Sequence, residues 1–239
     1  MTDYAVRFSK RQRFEHLIVM TTFLLLAVTG FPQKFFETAW ARGVVSVLGG
    51  LDRVRFVHRF SGIVFSLFTA WHLGVAVILA AQRKMKLTML PNRQDFKDAV
   101  QQVRYDLGLV ESQPAFDRFD YRQKFEYWGL VLGGLVMIST GLVLYFPMLV
   151  TRFLPGELIP VSKVAHSNEG LMAFLVVITW HIYNAHLAPG VFPYDTSIFN
   201  GRISKERLRH EHPLEYARLY GEPVPGEPAP PAPEAPPKP

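Results

Sequence analysis

The 239-residue chain contains no cysteine. That excludes disulfides, an iron–sulfur cluster held by thiolates of this chain, and covalently attached c-type haem. Any redox chemistry must use non-covalent groups. Charge is scarce too: Asp, Glu, Lys and Arg make up 19% of residues against 49% apolar. It is missing altogether from four runs, residues 17–33, 60–82, 127–151 and 170–188. Runs of this length read as membrane-spanning helices, the first and last needing their flanks to reach across. A small-residue cleavage site after the first run is also lacking, so the N-terminus is expected to act as a signal anchor.

What charge there is has a sided distribution. With the N-terminus inside, 19 of the 26 Lys and Arg residues fall in the N-terminal arm, the 83–126 segment and the stretch after the fourth run. The positive-inside rule then puts both termini in the cytoplasm. Topology accounts for the net charge of +6 better than a basic patch for nucleic acid does, and no nucleic-acid partner is expected. The fold class is therefore an all-α membrane protein, a four-transmembrane-helix bundle with both termini cytoplasmic. It should be a multi-pass protein of the bacterial cytoplasmic (inner) membrane, with membrane lipid around it.

The expected division is a basic cytoplasmic arm, 1–15, and a four-helix membrane domain, 16–190. A basic cytoplasmic segment, 191–220, and a Pro-rich tail, 221–239, expected to be disordered, complete it. The helices are expected at about 16–32, 57–82, 127–151 and 166–188. Gly30 and Pro32 read as the stop of the first. Residues 33–56 form an outer loop with an amphipathic middle, and 83–126 an inner segment, part helical around 94–105.

Six of the eight histidines lie in or at the edge of the apolar runs, and ionisable residues at membrane depth are functional candidates. His166 and His181 are fifteen residues apart, about 22 Å along a helix and close to whole turns. His58 and His72 are fourteen apart on another helix running the same way, so His58 is level with His166 and His72 with His181. His58-Arg-Phe-Ser-Gly62 and His166-Ser-Asn-Glu-Gly170 share an H-x-x-x-G pattern, the glycine clearing space for a porphyrin. Two ligand levels, one near each side of a bilayer, suit two stacked haems, and bis-histidine ligation leaves no open position, which suits electron transfer. The outer pair is His58 with His166. At the inner level His181 could pair with His72 or His16, and His186 lies one turn further in. Six histidines could hold a third haem, so the expectation is two or three haem b groups.

Arg55 and Arg59 stand beside the outer level, as partners for haem propionates or as topology-setting charges. Tyr183, Asn184 and His186 lie just inside His181 and are candidates for hydrogen bonding a quinone. His210 and His212 read as a solvated segment rather than a metal site.

Arg13-Phe-Glu-His16 running to Thr29-Gly30, Phe56-Val57-His58-Arg-Phe-Ser-Gly62, and His166 followed by His181-Ile-Tyr183 resemble the b-type cytochrome subunit of membrane formate dehydrogenases and nickel–iron hydrogenases. Gly201-Arg to Arg209-His-Glu-His-Pro-Leu-Glu-Tyr216 is similar to that family's cytoplasmic ending. Trp180-His181-Ile-Tyr183 with Phe192-Pro193 looks like the cytochrome b/b6-like relatives paired with multihaem c-type cytochromes. The resemblance implies a four-helix, di-haem, quinone-linked subunit with outer ligands His58 and His166 and inner ligands His16 and His181. It also implies an extracytoplasmic iron–sulfur or multihaem c-type cytochrome partner. His72 and His186 are additions to the family pattern.

The expected function is that of a membrane-anchoring di-haem cytochrome b subunit, moving electrons between an extracytoplasmic redox subunit and the quinone pool. It has no primary-substrate site of its own. The rivals are a haem-free structural anchor, whose histidines pack helices, and a transporter or haem-handling protein, for which the paired Gly/Pro helix interruptions are lacking.

Overall fold

The computed structural model describes residues 3–188 and 191–222. The tail expectation falls outside them from 223 onward. In chain order the elements are β1 (Tyr4–Val6), α1 (Lys10–Lys34), α2 (Ala39–Val47), α3 (Leu51–Ala81), α4 (Arg93–Asp106), α5 (Tyr121–Tyr145), α6 (Pro147–Val150) and α7 (Leu158–Val176). Two π-helical turns (Val177–His181 and Tyr183–Leu187) follow, then α8 (Ser197–Asn200), β2 (Arg202–Ser204), α9 (Lys205–Glu211) and α10 (Pro213–Tyr220). The chain divides into two compact units.

The larger unit, residues 8–87 and 126–201, holds three of the four long helices whole and α5 from residue 126 onward. α1, α3, α5 and the run Leu158–Leu187 are each long and apolar enough to cross a membrane. Leu24, Leu67, Leu132 and Leu175 are exposed on their outer faces, while Thr22, Thr29, Ser61 and Ser162 are buried. Small polar residues inside and leucine outside is the order expected of helices packed in lipid, where close approach rather than water exclusion holds them together. Phe31 of α1 meets Phe174 of α7 edge to face at 4.8 Å, and Phe65 of α3 lies against Gly134 of α5.

Helix ends differ from the apolar runs, because capping chemistry sets them. α1 begins at Lys10: Ser9 caps it and Gln12 reaches back to close a capping box. Asp120 and Gln123 do the same at the start of α5. Gly30 and Pro32 do not stop α1, which runs on to Lys34. Its last turn is closed by Phe35 N–H to the Phe31 carbonyl and by the Gln33 amide to the Thr29 carbonyl. α5 ends at Tyr145, well before 151, since Pro147 cannot continue it and opens the short α6 instead. The fourth helix starts at Leu158 and widens to i→i+5 bonding from Val177, so it is not one straight α-helix.

The smaller unit comprises residues 3–7, 88–125 and 202–222 among those described. β1 and β2 pair antiparallel, Ala5 opposite Ile203, the one departure from an all-helical chain among the described residues. Ala5, Ile203 and Leu208 form a small core with Tyr216 against it. The arm and the C-terminal segment are thus folded together.

His212 is buried, not solvated, whereas His210 is exposed. The His212 Nδ1 faces the Asp117 carbonyl at 2.7 Å and Nε2 faces Arg7 Nη2 at 3.0 Å. Arg7 also donates to Glu215 at 2.7 Å. Burial, and next the Arg7 charge, push the His212 imidazole down to about 4.

α4 is capped by Asn92 with Asp95 and is turned inside out. Asp98 is buried with 8% exposure, yet Phe96, Val100, Val103 and Leu107 on the opposite face are 74%, 45%, 56% and 69% exposed.

Candidate functional site

The outer level is built from four helices. His58 of α3 and His166 of α7 face each other with ring centroids 6.2 Å apart. Each Nδ1 is held by a threonine of a neighbouring helix: Thr29 Oγ1 of α1 at 3.0 Å from His58, Thr140 Oγ1 of α5 at 3.0 Å from His166. A hydroxyl has one proton. Thr29 gives its proton to the Leu25 carbonyl at 2.5 Å, and Thr140 to the Val136 carbonyl at 2.6 Å. Both oxygens therefore accept from Nδ1–H, which leaves each Nε2 with a free lone pair, the ligand form of imidazole. The glycine after each threonine makes room. A Cβ on Gly30 would stand 3.1 Å from His58 Cε1, and one on Gly141 3.3 Å from His166 Cε1. At Gly62 and Gly170, the glycines singled out by the H-x-x-x-G pattern, a Cβ would instead meet Leu26 at 3.9 Å and Met137 at 3.4 Å.

At the inner level His16 of α1 faces His181 of the π-helical turn, again with centroids 6.2 Å apart. His181 Nδ1 lies 2.9 Å from the Glu126 carboxylate, an orienting bond of the kind that fixes metal-binding imidazoles. His72 is engaged elsewhere and at both nitrogens: Nδ1 is 3.2 Å from Glu15 and Nε2 is 3.1 Å from the Tyr127 hydroxyl. Of the two candidates to face His181, His16 does so.

The remaining candidates do not converge. Asn184 donates to the Trp180 carbonyl on its own helix at 2.8 Å, His186 Nδ1 accepts the Asp195 N–H at 3.3 Å, and Tyr183 is 48% exposed. Arg55 is exposed, while the Arg59 guanidinium covers the Tyr145 ring at 5.3 Å. A cation not foreseen, Lys34, donates to Ser167 at 3.1 Å and Asn168 at 2.7 Å, one and two residues after His166.

These residues can be tested for fit to a bis-imidazole haem. A metal–nitrogen bond of about 2.0 Å, with the ring centre about 1.1 Å behind the nitrogen, sets two imidazoles sharing one ion about 6.2 Å apart. Both histidine pairs stand at that separation. The outer pair adds the tautomer and the glycine clearance, and the inner pair adds a carboxylate behind His181. The residues fit.

Four apolar helices with paired, oriented histidines inside define the class as a haem-protein type of membrane bundle. The chain belongs to the prokaryotic cytochrome b561 family, whose family model matches residues 7–191, and is thereby a transmembrane b-type cytochrome of electron transport. It is 26% identical over 228 residues to the formate dehydrogenase cytochrome b556(fdo) subunit of Escherichia coli strain K12, covering 91% of this chain and 94% of that one. The subunits of the same name from Escherichia coli O6:H1 and O157:H7 match to the same extent.

Sequence reasoning missed Thr29, Thr140, Glu126, Glu15 and Tyr127 as functional side chains. A signal was present. Thr-Gly occurs at 29–30 and 140–141, in each case on the helix that enters the bundle before a histidine-bearing one.

Proposed function

We propose that the chain is the membrane-anchoring subunit of an oxidoreductase complex and carries two haem b groups. His58 and His166 would hold one, and His16 and His181 the other. Electrons pass between a redox subunit on the extracytoplasmic side, an iron–sulfur or multihaem c-type protein, and the quinone pool of the bacterial cytoplasmic membrane. The observation that carries this reading is the pair of facing imidazole couples at ligand spacing. The formate dehydrogenase subunit name of its relatives supports the complex.

Bound haem supplies a one-electron iron couple. The protein's part is positional. His58, His166 and His181, whose Nδ1 atoms are held by Thr29, Thr140 and Glu126, would present Nε2 to the iron. His16 would complete the inner pair, and a pair of imidazoles on each iron would leave no position open to small ligands. Arg55, Arg59 and Lys34 offer positive charge for carboxylates at the outer level. The loops around α2 and α6 are the docking surface for the redox subunit. The inner level is where a quinone would exchange; Tyr183, Asn184 and His186 follow His181 in sequence, and Asn184 and His186 would have to change partners to bind it. Charge bias supports both termini on the cytoplasmic side.

The test is the haem b to polypeptide ratio of the purified chain by pyridine haemochrome. A value near two is expected, falling by one in His166→Ala and in His16→Ala and unchanged in His72→Ala. A value near zero would leave a haem-free anchor. Loss of a haem in His72→Ala with none in His16→Ala would reverse the inner assignment.

A further inference from the structure

The two histidine-bearing halves of the bundle repeat each other. Arg11-Gln-Arg-Phe-Glu-His16 opens α1, and Arg122-Gln-Lys-Phe-Glu-Tyr127 opens α5, 111 positions later. The offset is the same for the capping glutamines, Gln12 and Gln123, and for the Thr-Gly pairs that serve the outer histidines. His58 and Gly62 recur as His166 and Gly170 after 108 positions, and His72 as His181 after 109. The extra residue in that last interval coincides with the π-helical turn at Val177–His181, and a wide turn is how a helix absorbs one residue without losing its direction.

Contacts repeat along with the sequence. Glu15 stands behind His72 at 3.2 Å as Glu126 stands behind His181 at 2.9 Å. Such parallel repeats are related by an axis along the membrane normal.

Under this relation the outer pair maps onto itself, since His58 and His166 are equivalents. The inner pair does not. His16 with His181 maps onto Tyr127 with His72, and that second couple exists, with ring centroids 6.1 Å apart against 6.2 Å for His16 and His181. The backbone thus presents two equivalent inner positions, and the side chains differ at one residue. A phenol is longer than an imidazole. The Tyr127 hydroxyl reaches the His72 Nε2 at 3.1 Å and takes the atom, and the place, that a metal would need.

We infer that Tyr127 is the residue that decides which of two equivalent inner positions takes a haem: it closes the one at His72 by bonding its ring nitrogen, and leaves the one at His16 and His181 as the site. The inference rests on the di-haem reading above. Substituting Tyr127→His gives the second position two imidazoles and no blocking hydroxyl.

The experiment measures the haem b ratio and the reduced-minus-oxidised spectrum of the purified full chain. Tyr127→His is expected to raise the ratio from near two to near three with a bis-histidine spectrum. Tyr127→Phe, which unblocks His72 without a second ligand, stays at two. The reciprocal variant His16→Tyr is expected to lose one haem while the outer signal stays. An inserted Tyr127→His protein that still binds two haems with an unchanged spectrum overturns the inference. If that variant fails to fold, His16→Tyr decides, and retention of both haems there overturns it. A wild-type ratio near zero is a different failure: it removes the di-haem reading first, and the role of Tyr127 with it.

Discussion

At the scale of single residues, the threonines set how the outer histidines are turned. Thr140→Val keeps the shape and deletes the side-chain acceptor beside the His166 Nδ1–H, leaving the Met137 backbone, and Thr29→Val does the same for His58, leaving that of Leu26. Loss of an orienting partner typically weakens metal affinity about 10–100-fold. Outer-haem transfer to excess apomyoglobin should therefore speed up in both variants. Thr179→Val is the control, because among the described residues the Thr179 hydroxyl bonds the Leu175 carbonyl of its own helix and no histidine.

His212 gives a pH prediction. Its folded value of about 4 lies below the ordinary 6.5, so the unfolded state binds the proton more readily. Its contribution to stability is complete above pH 6.5 and is lost as pH falls towards 4. Amide protection in β1 and α9, after correction for the slower intrinsic exchange at lower pH, should be weaker at pH 5 than at pH 7, and His212→Gln should flatten the difference. Histidines at helical spacing were legible in the sequence. The partners of their Nδ1 atoms were not, because Thr-Gly in an apolar helix reads equally well as a helix stop or a packing notch.

Among the elements, α4 presents its apolar face outward and is bordered by Arg93, Lys97 and Arg104. A helix so patterned, joined to two membrane spans, should lie on an anionic lipid surface. The lack of native cysteine makes this simple to check by spin labelling of the chain reconstituted in bilayers with and without phosphatidylglycerol. A label at Val100→Cys should be reached by oxygen and shielded from a water-soluble nickel chelate, and more so with the anionic lipid. A label at Asp106→Cys should show the reverse preference. Equal aqueous access at both positions would put α4 away from the bilayer.

The apolar cores of the spans were legible as charge-free runs, but their ends were not. Ser9 and Asp120 cap helices from inside charged flanks that hydropathy reads as loops. The wide turn at Val177–His181 was not legible from its own residues, because the one-residue difference that coincides with it shows only when the two halves of the sequence are compared.

For the whole molecule, four crossings leave the two termini on one side of the membrane. Reporter fusions at residue 1 and residue 239 should therefore agree, and the charge bias predicts the cytoplasmic answer. Opposite answers would mean that one apolar helix does not cross. The bundle and its family were legible from residue pattern alone. The repeat was harder to see, because the apolar residues between the shared motifs are free to vary as long as they face lipid.

That repeat has a consequence for how the protein can change. In a two-fold dimer of identical halves, one substitution would alter both inner positions together, and the outer site, made of the same residue from each copy, could never be asymmetric. Joining the halves in one chain lifts that constraint. A tyrosine on one side and a histidine on the other is a difference that only a fused pair can carry, and it turns a symmetric vessel into one with a left and a right.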